Sequence, residues 1–151
     1  MCIRDSAYSA LFRQRKVHKC YEAVAAFDPA LSLPLRRESR IRPGSHFMQQ
    51  AEVPGPINAI TEIDVLEVCR AWARYRLRPL SGQRHQLRVH MMALGLPILN
   101  DGIYPQLTPE GSSDPSKPLQ LLAKSLAFED PISGRNMVFE SQLRLLPLPT
   151  V

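Results

Sequence analysis

The sequence predicts an α+β domain, a mainly antiparallel mixed sheet with a few flanking helices. Three observations predict it. Several stretches alternate apolar and polar residues at a period of two, as half-buried strands do. Turn residues separate neighbouring stretches, so consecutive strands are expected to pair locally. Helical periodicity is confined to two or three short segments. The 151 residues suit about one domain, and no linker or internal repeat divides them.

The elements follow in order. "MCIRDS" (1–6) has no periodicity and is expected to be an irregular or foreign leader, with the domain occupying 7–151. "AYSALFRQR" places Tyr8, Leu11 and Phe12 at helical spacing, which predicts a short amphipathic helix. "KVHKCYEAVAAF" predicts a strand, with Val17, Lys19, Tyr21, Ala23 and Ala25 on one face and His18, Cys20, Glu22 and Val24 on the other. Asp28-Pro29 and Pro34 mark a surface loop. "SHFMQQAEV" and "NAITEIDVLEVC" read as strands joined through "PGP", and "ARYRLRPL" alternates again. "PQLTPEGSSDPSKP" is a loop by composition. "LQLLAKSLAFED" and "NMVFESQLRLL" form a closing hairpin about a turn at 131–134.

Composition narrows the function. No stretch approaches the ~18 consecutive apolar residues of a membrane span, and the N-terminus lacks the apolar core of a signal peptide. Cys2, Cys20 and Cys69 are odd in number and form no C-x-x-C pair. That pattern predicts reduced thiols in a cytoplasmic protein, with neither a zinc site nor a disulfide frame. The net charge is +5, and the charge is gathered. "FRQRKVHK", "LRRESRIR", "RAWARYRLRPL" and "SGQRHQLRVH" hold most of the 19 Lys and Arg residues. Four such runs predict a shared basic surface and a polyanionic partner.

The stretch "SGQRHQLRVHMMALGLPILNDGIY" (81–104) is the most informative. Leu87, Met91 and Leu94 recur at i, i+4 and i+7, and Gly95 followed by Pro97 is a helix-stop pattern. A helix over 84–94 is expected, entered from a turn at Ser81-Gly82. A strand with Leu87, Val89 and Met91 alternating is the rival. In the helix, Arg84, His85 and Arg88 fall near the N-terminus, where unpaired N–H groups already make the end partly positive. Cations there are unfavourable unless an anion compensates, a phosphate or a buried carboxylate. Arg84 and Arg88, four apart, would grip one site together. His85 and His90 lie about 140° apart around a helix, which does not suit a shared metal ion. Ser81 before glycine reads as a turn or cap rather than a nucleophile, and no G-x-S-x-G elbow is present.

This segment resembles the signature of the RluA-like RNA pseudouridine synthases, in which G-R-[ST]-H-Q-[IL]-R-[VA]-H runs into G-H-P-I-x-G-D-x-x-Y. "FRQRKVHKCYEAV" is similar to the family's F-x-x-R-x-V-x-K-x-Y, and "NAITEIDVLE" to its A-x-T-x-x-x-x-L strand. "LLAKSLAFEDPISGRNMVFES" is similar to its closing L-x-A-x-x-L-x-F-x-H-P-x-x-G hairpin. The order agrees over about 6–143. Gln83 stands where the family has Arg, Arg84 where it has Thr or Ser, and Leu96 where it has His. Asn100 replaces a glycine, and Leu122 the hairpin histidine.

The resemblance implies a pseudouridine synthase-like catalytic domain that isomerises uridines of ribosomal or transfer RNA to the C-glycoside. It implies no organic cofactor, no metal and no membrane, and a monomer is expected. The family's nucleophile is the aspartate of an H-R-L-D-x-x-[TS]-S-G segment, upstream of K-x-Y. Asp5 lacks the following Thr-Ser-Gly, and Asp28, Asp64, Asp101, Asp114 and Asp130 stand in other contexts. The chain is therefore expected to be the C-terminal portion of the catalytic domain, truncated before its nucleophile and inactive alone. By the same resemblance, Arg88 holds that carboxylate ionised. Tyr21 stacks on the target base and helps with the proton leaving C5. Lys19, Arg84, His85 and Gln86 are the candidates for phosphate and flanking-base contacts. A non-catalytic RNA-binding module and a basic protein-binding domain are the alternative readings.

Overall fold

In the computed structural model, which describes residues 3–150, one antiparallel sheet carries the chain between two helices. The elements are α1 (Ile3–Arg13), β1 (His18–Ala26), β2 (Leu35–Pro43), β3 (Gln50–Val53), β4 (Ala59–Cys69), β5 (Trp72–Pro79), α2 (Gln86–Ala93), β6 (Leu121–Glu129) and β7 (Asn136–Glu140). The strand order is β3-β2-β4-β5-β1-β6-β7, and every pairing is antiparallel. The hairpins expected from the turn signals pair neighbours, while β1 is inserted between β5 and β6.

Alternation decides which face is buried. On β5, Ala73, Tyr75 and Leu77 are fully buried, whereas Arg74, Arg76 and Arg78 point to the opposite face. On β1, Ala23 and Ala25 join the same core, and Tyr21 packs at its margin. Leu87 and Met91, one turn apart on α2, close the core from above. Each contributes on the order of 1.5–3 kcal/mol by leaving water. Val89 faces a second cluster with Ile41, Ala59 and Tyr104. At its C-terminus α2 ends in a Schellman motif: Gly95 takes φ 77°, its N–H donates to the Met92 carbonyl, and the Leu96 N–H donates to that of Met91.

Several boundaries differ from those the sequence predicts. The irregular leader expected over 1–6 gives way to helix from Ile3, with Asp5 in the first turn, where it complements the helix dipole. Residues 1–2 lie outside the described residues. "LRRESRIR" is not merely a charge run but strand β2. The strand expected over 45–53 begins only at Gln50. The preceding residues make a turn in which the Gly44 N–H donates to the Gln49 carbonyl. The helix expected over 84–94 starts at Gln86, because His85 is left-handed (φ 54°, ψ 20°) and caps it with no side-chain bond.

Candidate active site and nucleic-acid interface

The turn between β5 and α2 faces the start of β1 across an open cleft of about 320 Å³. Lys19, Tyr21, Gln83, His85, Gln86 and Arg88 line it, with Pro79, Ser81, Gly82, Leu87 and Leu121 completing the wall. Five of the six residues singled out from the sequence therefore meet in one place. Arg84 is the exception. It precedes the left-handed cap, is exposed, and does not share a helical face with Arg88.

Tyr21 is aimed by a local irregularity. Between Cys20 and Tyr21 the β1–β6 register jumps from Ser125 to Ala123, leaving Lys124 as the extra residue of a β-bulge. Bulges re-aim side chains and recur beside active sites. Lys19 precedes it on the same face, and its Nζ donates to the Ser81 carbonyl at 3.1 Å. Burial lowers the Lys19 pKa from its ordinary value. Two of its three N–H groups remain for a ligand.

Arg88 already has an anion. Its Nε donates to Asp101 Oδ2 at 2.9 Å, and its second amino group donates to Oδ1. The Asp101 side chain is only 1% exposed. Its Oδ1 also accepts from the backbone N–H groups of Ile103 (2.9 Å) and Tyr104 (3.0 Å). Burial alone would raise the Asp101 pKa. The Arg88 hydrogen bonds and the two backbone donors outweigh it and hold the carboxyl below its ordinary value. The guanidinium expected to hold a carboxylate from outside this chain already holds one inside it: a planar, two-pronged pair with Asp101 occupies one of its edges. The Tyr104 ring supports it from below, 5.3 Å from the guanidinium carbon. Sequence reasoning set Asp101 aside as a nucleophile and missed this role. The signal was its place in "NDGIY", the continuation of the same motif.

Gln86 also departs from its expected part. Its side chain is buried and fully occupied. Nε2 donates to the Ile60 carbonyl and to Thr61 Oγ1, each at 2.9 Å, while Oε1 accepts from Ser81 Oγ (2.7 Å) and the Gln83 N–H (3.1 Å). An amide with four bonds made has none left for RNA. Gln86 instead ties the turn to β4. Ser81 is held in the same way, also accepting from the Ile60 N–H at 2.9 Å, which removes it as a nucleophile.

His85 meets the Tyr104 hydroxyl through Nδ1 at 2.9 Å. That hydroxyl accepts from the Gln50 N–H, so its own proton is best placed on His85 Nδ1, leaving the ring N–H at Nε2. Burial, then the Arg88 and Arg84 cations, lower the His85 pKa against an opposing pull from Asp101. At neutral pH the cleft therefore holds a neutral imidazole.

Among the described residues, much of two of the four basic runs is paired with acids. Across β4 and β5, Arg74 pairs with Glu67 (3.7 Å), Arg76 with Asp64 (3.1 Å) and Arg78 with Glu62 (3.6 Å). Along β2, Arg36 pairs with Glu38, and Arg37 with Glu52. Arg40 and Arg42 of β2 and Arg70 of the β4–β5 turn enter none of these pairs, so the basic surface expected from four runs is thinned on the sheet and stays concentrated in the two runs that flank the cleft.

No protein-family model matches the chain. Among curated proteins, the Dual-specificity RNA pseudouridine synthase RluA of Yersinia pestis is 45% identical over 137 residues, covering 87% of this chain and 63% of that protein. Its namesake from Salmonella typhi is 37% identical over 135 residues, covering 85% and 58%. Among solved structures, Human RNA Pseudouridylate Synthase Domain Containing 1 superposes with a TM-score of 0.70 at 25% identity, covering 91% of this chain and 58% of that one. Human RNA Pseudouridylate Synthase Domain Containing 4 gives 0.67 at 26% identity, covering 93% and 64%. The fold is that of the pseudouridine synthase domains. More narrowly, these curated relatives are RluA-type RNA pseudouridine synthases, to which this chain is similar over most of its length, at 37% and 45% identity. The chain spans about three-fifths of the length of the curated relatives it matches.

Proposed function

We propose that the cleft between Tyr21 and Arg88 is the uridine-binding part of an RNA pseudouridine synthase, acting on ribosomal or transfer RNA in the cytoplasm as a monomer, without a metal or organic cofactor. The observation that carries this reading is the convergence of Tyr21, on its bulge, with Arg88, on the first turn of α2, in one cleft flanked by cations. The target base stacks on the Tyr21 ring, and the phenol assists departure of the C5 proton. Arg88 keeps Asp101 ionised on one edge and offers its remaining N–H groups to the reacting carboxylate. Lys19 and the neutral His85 donate to phosphate and to a flanking base. The uridine must be unpaired or flipped, since its reactive face is unreachable inside a helix.

The cleft lining contains no Asp or Glu, and that favours a second reading, a module that binds RNA without catalysis. Tritium release from RNA labelled at uridine C5 separates the two. The 151-residue chain is expected to bind RNA and release no tritium. A form of the protein that also carries an H-R-L-D segment is expected to release it. In that form Arg88→Lys, which breaks the two-pronged geometry, should slow turnover by at least about tenfold. Turnover at the unaltered rate by a folded Arg88→Lys variant would remove Arg88 from the mechanism. Absence of turnover in every form carrying the segment would leave the binding module.

A further inference from the structure

Resting on the RNA reading above, we infer that a second binding site, a phosphate trough built by the α1–β1 junction, carries the RNA strand away from the uridine cleft. The trough is a cavity of about 420 Å³ lined by Phe12, Arg13, Arg15, Lys19 and Gln83, with no Asp or Glu in its wall. It is continuous with the cleft, because Lys19, Ser81, Gly82 and Gln83 belong to both.

Its cations differ from those of the β4–β5 ladder, and, unlike the other described cations without an ion pair (among them Arg40, Arg42 and Arg70), they gather on one cavity wall that continues into the cleft. The arginines of β5 and the first two of β2 are spent on carboxylates, whereas none of the ion pairs among the described residues involves Arg13, Arg15 or Lys19. Arg13 sits in the last turn of α1, where the helix dipole favours a cation. That accounts for Arg13 and not for its neighbours. Arg15 lies beyond the helix, held at φ 56° by a turn in which its N–H donates to the Phe12 carbonyl. A non-glycine residue in that conformation is uncommon. Lys19 stands on the strand that follows. Three elements of local structure thus deliver uncompensated cations to one wall.

Phe12 identifies the class of polyanion. It is 56% exposed at the rim of the trough, although Leu11 beside it is buried and anchors the helix. Phe12, Lys19 and Tyr21 also line one adjoining groove, together with Phe139 and the Lys124–Glu140 pair. Aromatic faces sharing a groove with a cation are what a single nucleic-acid strand requires: stacking for bases and charge for the phosphates between them. Duplex, with its bases already stacked, would use only the cations. The strand leaving the target nucleotide is therefore single-stranded as it crosses Lys19, Arg15 and Arg13.

The test uses the 151-residue chain and two fluorescent probes, a uridine trinucleotide and a single-stranded RNA of roughly 12 nucleotides. The double variant Arg13→Gln/Arg15→Asn removes both charges at exposed positions, and asparagine tolerates the left-handed backbone of residue 15. The longer RNA should lose about 1.4 in the slope of log K against log[salt], the share of two phosphates, while trinucleotide binding stays unchanged. Phe12→Ala should weaken the longer RNA about tenfold at constant slope. Retention of slope and affinity by the double variant overturns the trough and leaves the uridine cleft standing. Equal loss for both probes also overturns it, since the residues would then serve the cleft itself. Binding of polyglutamate as tight as that of RNA overturns it as an unspecific anion site. Failure of the unaltered chain to bind either RNA removes the functional reading together with the trough.

Discussion

At the scale of single residues, the decisive fact is that Arg88 and Asp101 are buried together. A buried ion pair is weak support for stability, because desolvation offsets most of its attraction. Breaking it is another matter. Asp101→Asn would leave a guanidinium, 14% exposed, against an amide that can accept only at one atom. We expect a loss of about 3 kcal/mol in urea unfolding, with Arg88 released toward the cleft. A loss below about 1 kcal/mol would show that Arg88 finds another anion. The same residue shows where the sequence is hard to read. Asp101 lies 13 positions beyond Arg88, past the end of α2, and no spacing rule connects a helix residue to a loop carboxylate at that distance. The motif held both residues; their contact required the fold.

At the scale of elements, α2 is joined to the edge of the sheet by a line of buried polar groups. Gln86 Nε2 donates to Thr61 Oγ1. The Thr61 hydroxyl is then free to donate to His90 Nδ1 (2.8 Å), and His90 Nε2–H donates to Ser39 Oγ (2.8 Å). Ser39 in turn donates to Glu52, which Arg37 grips from the other side. This direction of donation satisfies every member and requires His90 to be neutral. Burial, against an opposing pull from Glu52, lowers its pKa to about 4. The unfolded chain binds its proton near pH 6.5. As pH falls below that value the unfolded state takes up a proton the folded state refuses. Stability contributed by neutral His90 is thus complete above about pH 6.5 and lost progressively down to about pH 4, by roughly 3 kcal/mol in all. Urea midpoints between those limits should fall steeply for the natural chain and less steeply for His90→Gln. Equal slopes would mean that His90 does not titrate in this window.

The same line of groups explains why β2 was not legible. A strand announces itself by apolar residues at alternate positions, but between Leu35 and Ile41 the inward positions of β2 are Arg37 and Ser39. Their partners, Glu52 and His90, are distant in sequence, so two polar residues that belong to the interior read as part of a charge run. Strands β1, β4 and β5, whose inward faces are apolar apart from Lys19 and Thr61, follow the period-two expectation. The start of α2 was displaced for a different reason: propensity does not forecast that His85 adopts a left-handed conformation, which sequence assigns by default to glycine or asparagine.

At the scale of the whole molecule, where charges stand matters more than how many there are. The net charge is +5, yet the arginines of β5 are matched one by one by acids of β4. Arg76→Gln and Arg13→Gln each lower the net charge by one. We expect the second to slow RNA association at low ionic strength by several-fold more than the first, measured by stopped-flow fluorescence. Equal effects would show that total charge alone governs the encounter.

The paired ladder has one more consequence. A body whose charges cancel across a broad side and survive beside an opening possesses an electric moment in addition to its net charge. Near a polyanion that moment acts as a torque, effective over about a Debye length, roughly 8 Å at physiological salt. The protein would be rotated before first touch, so that the opening leads and the ladder trails.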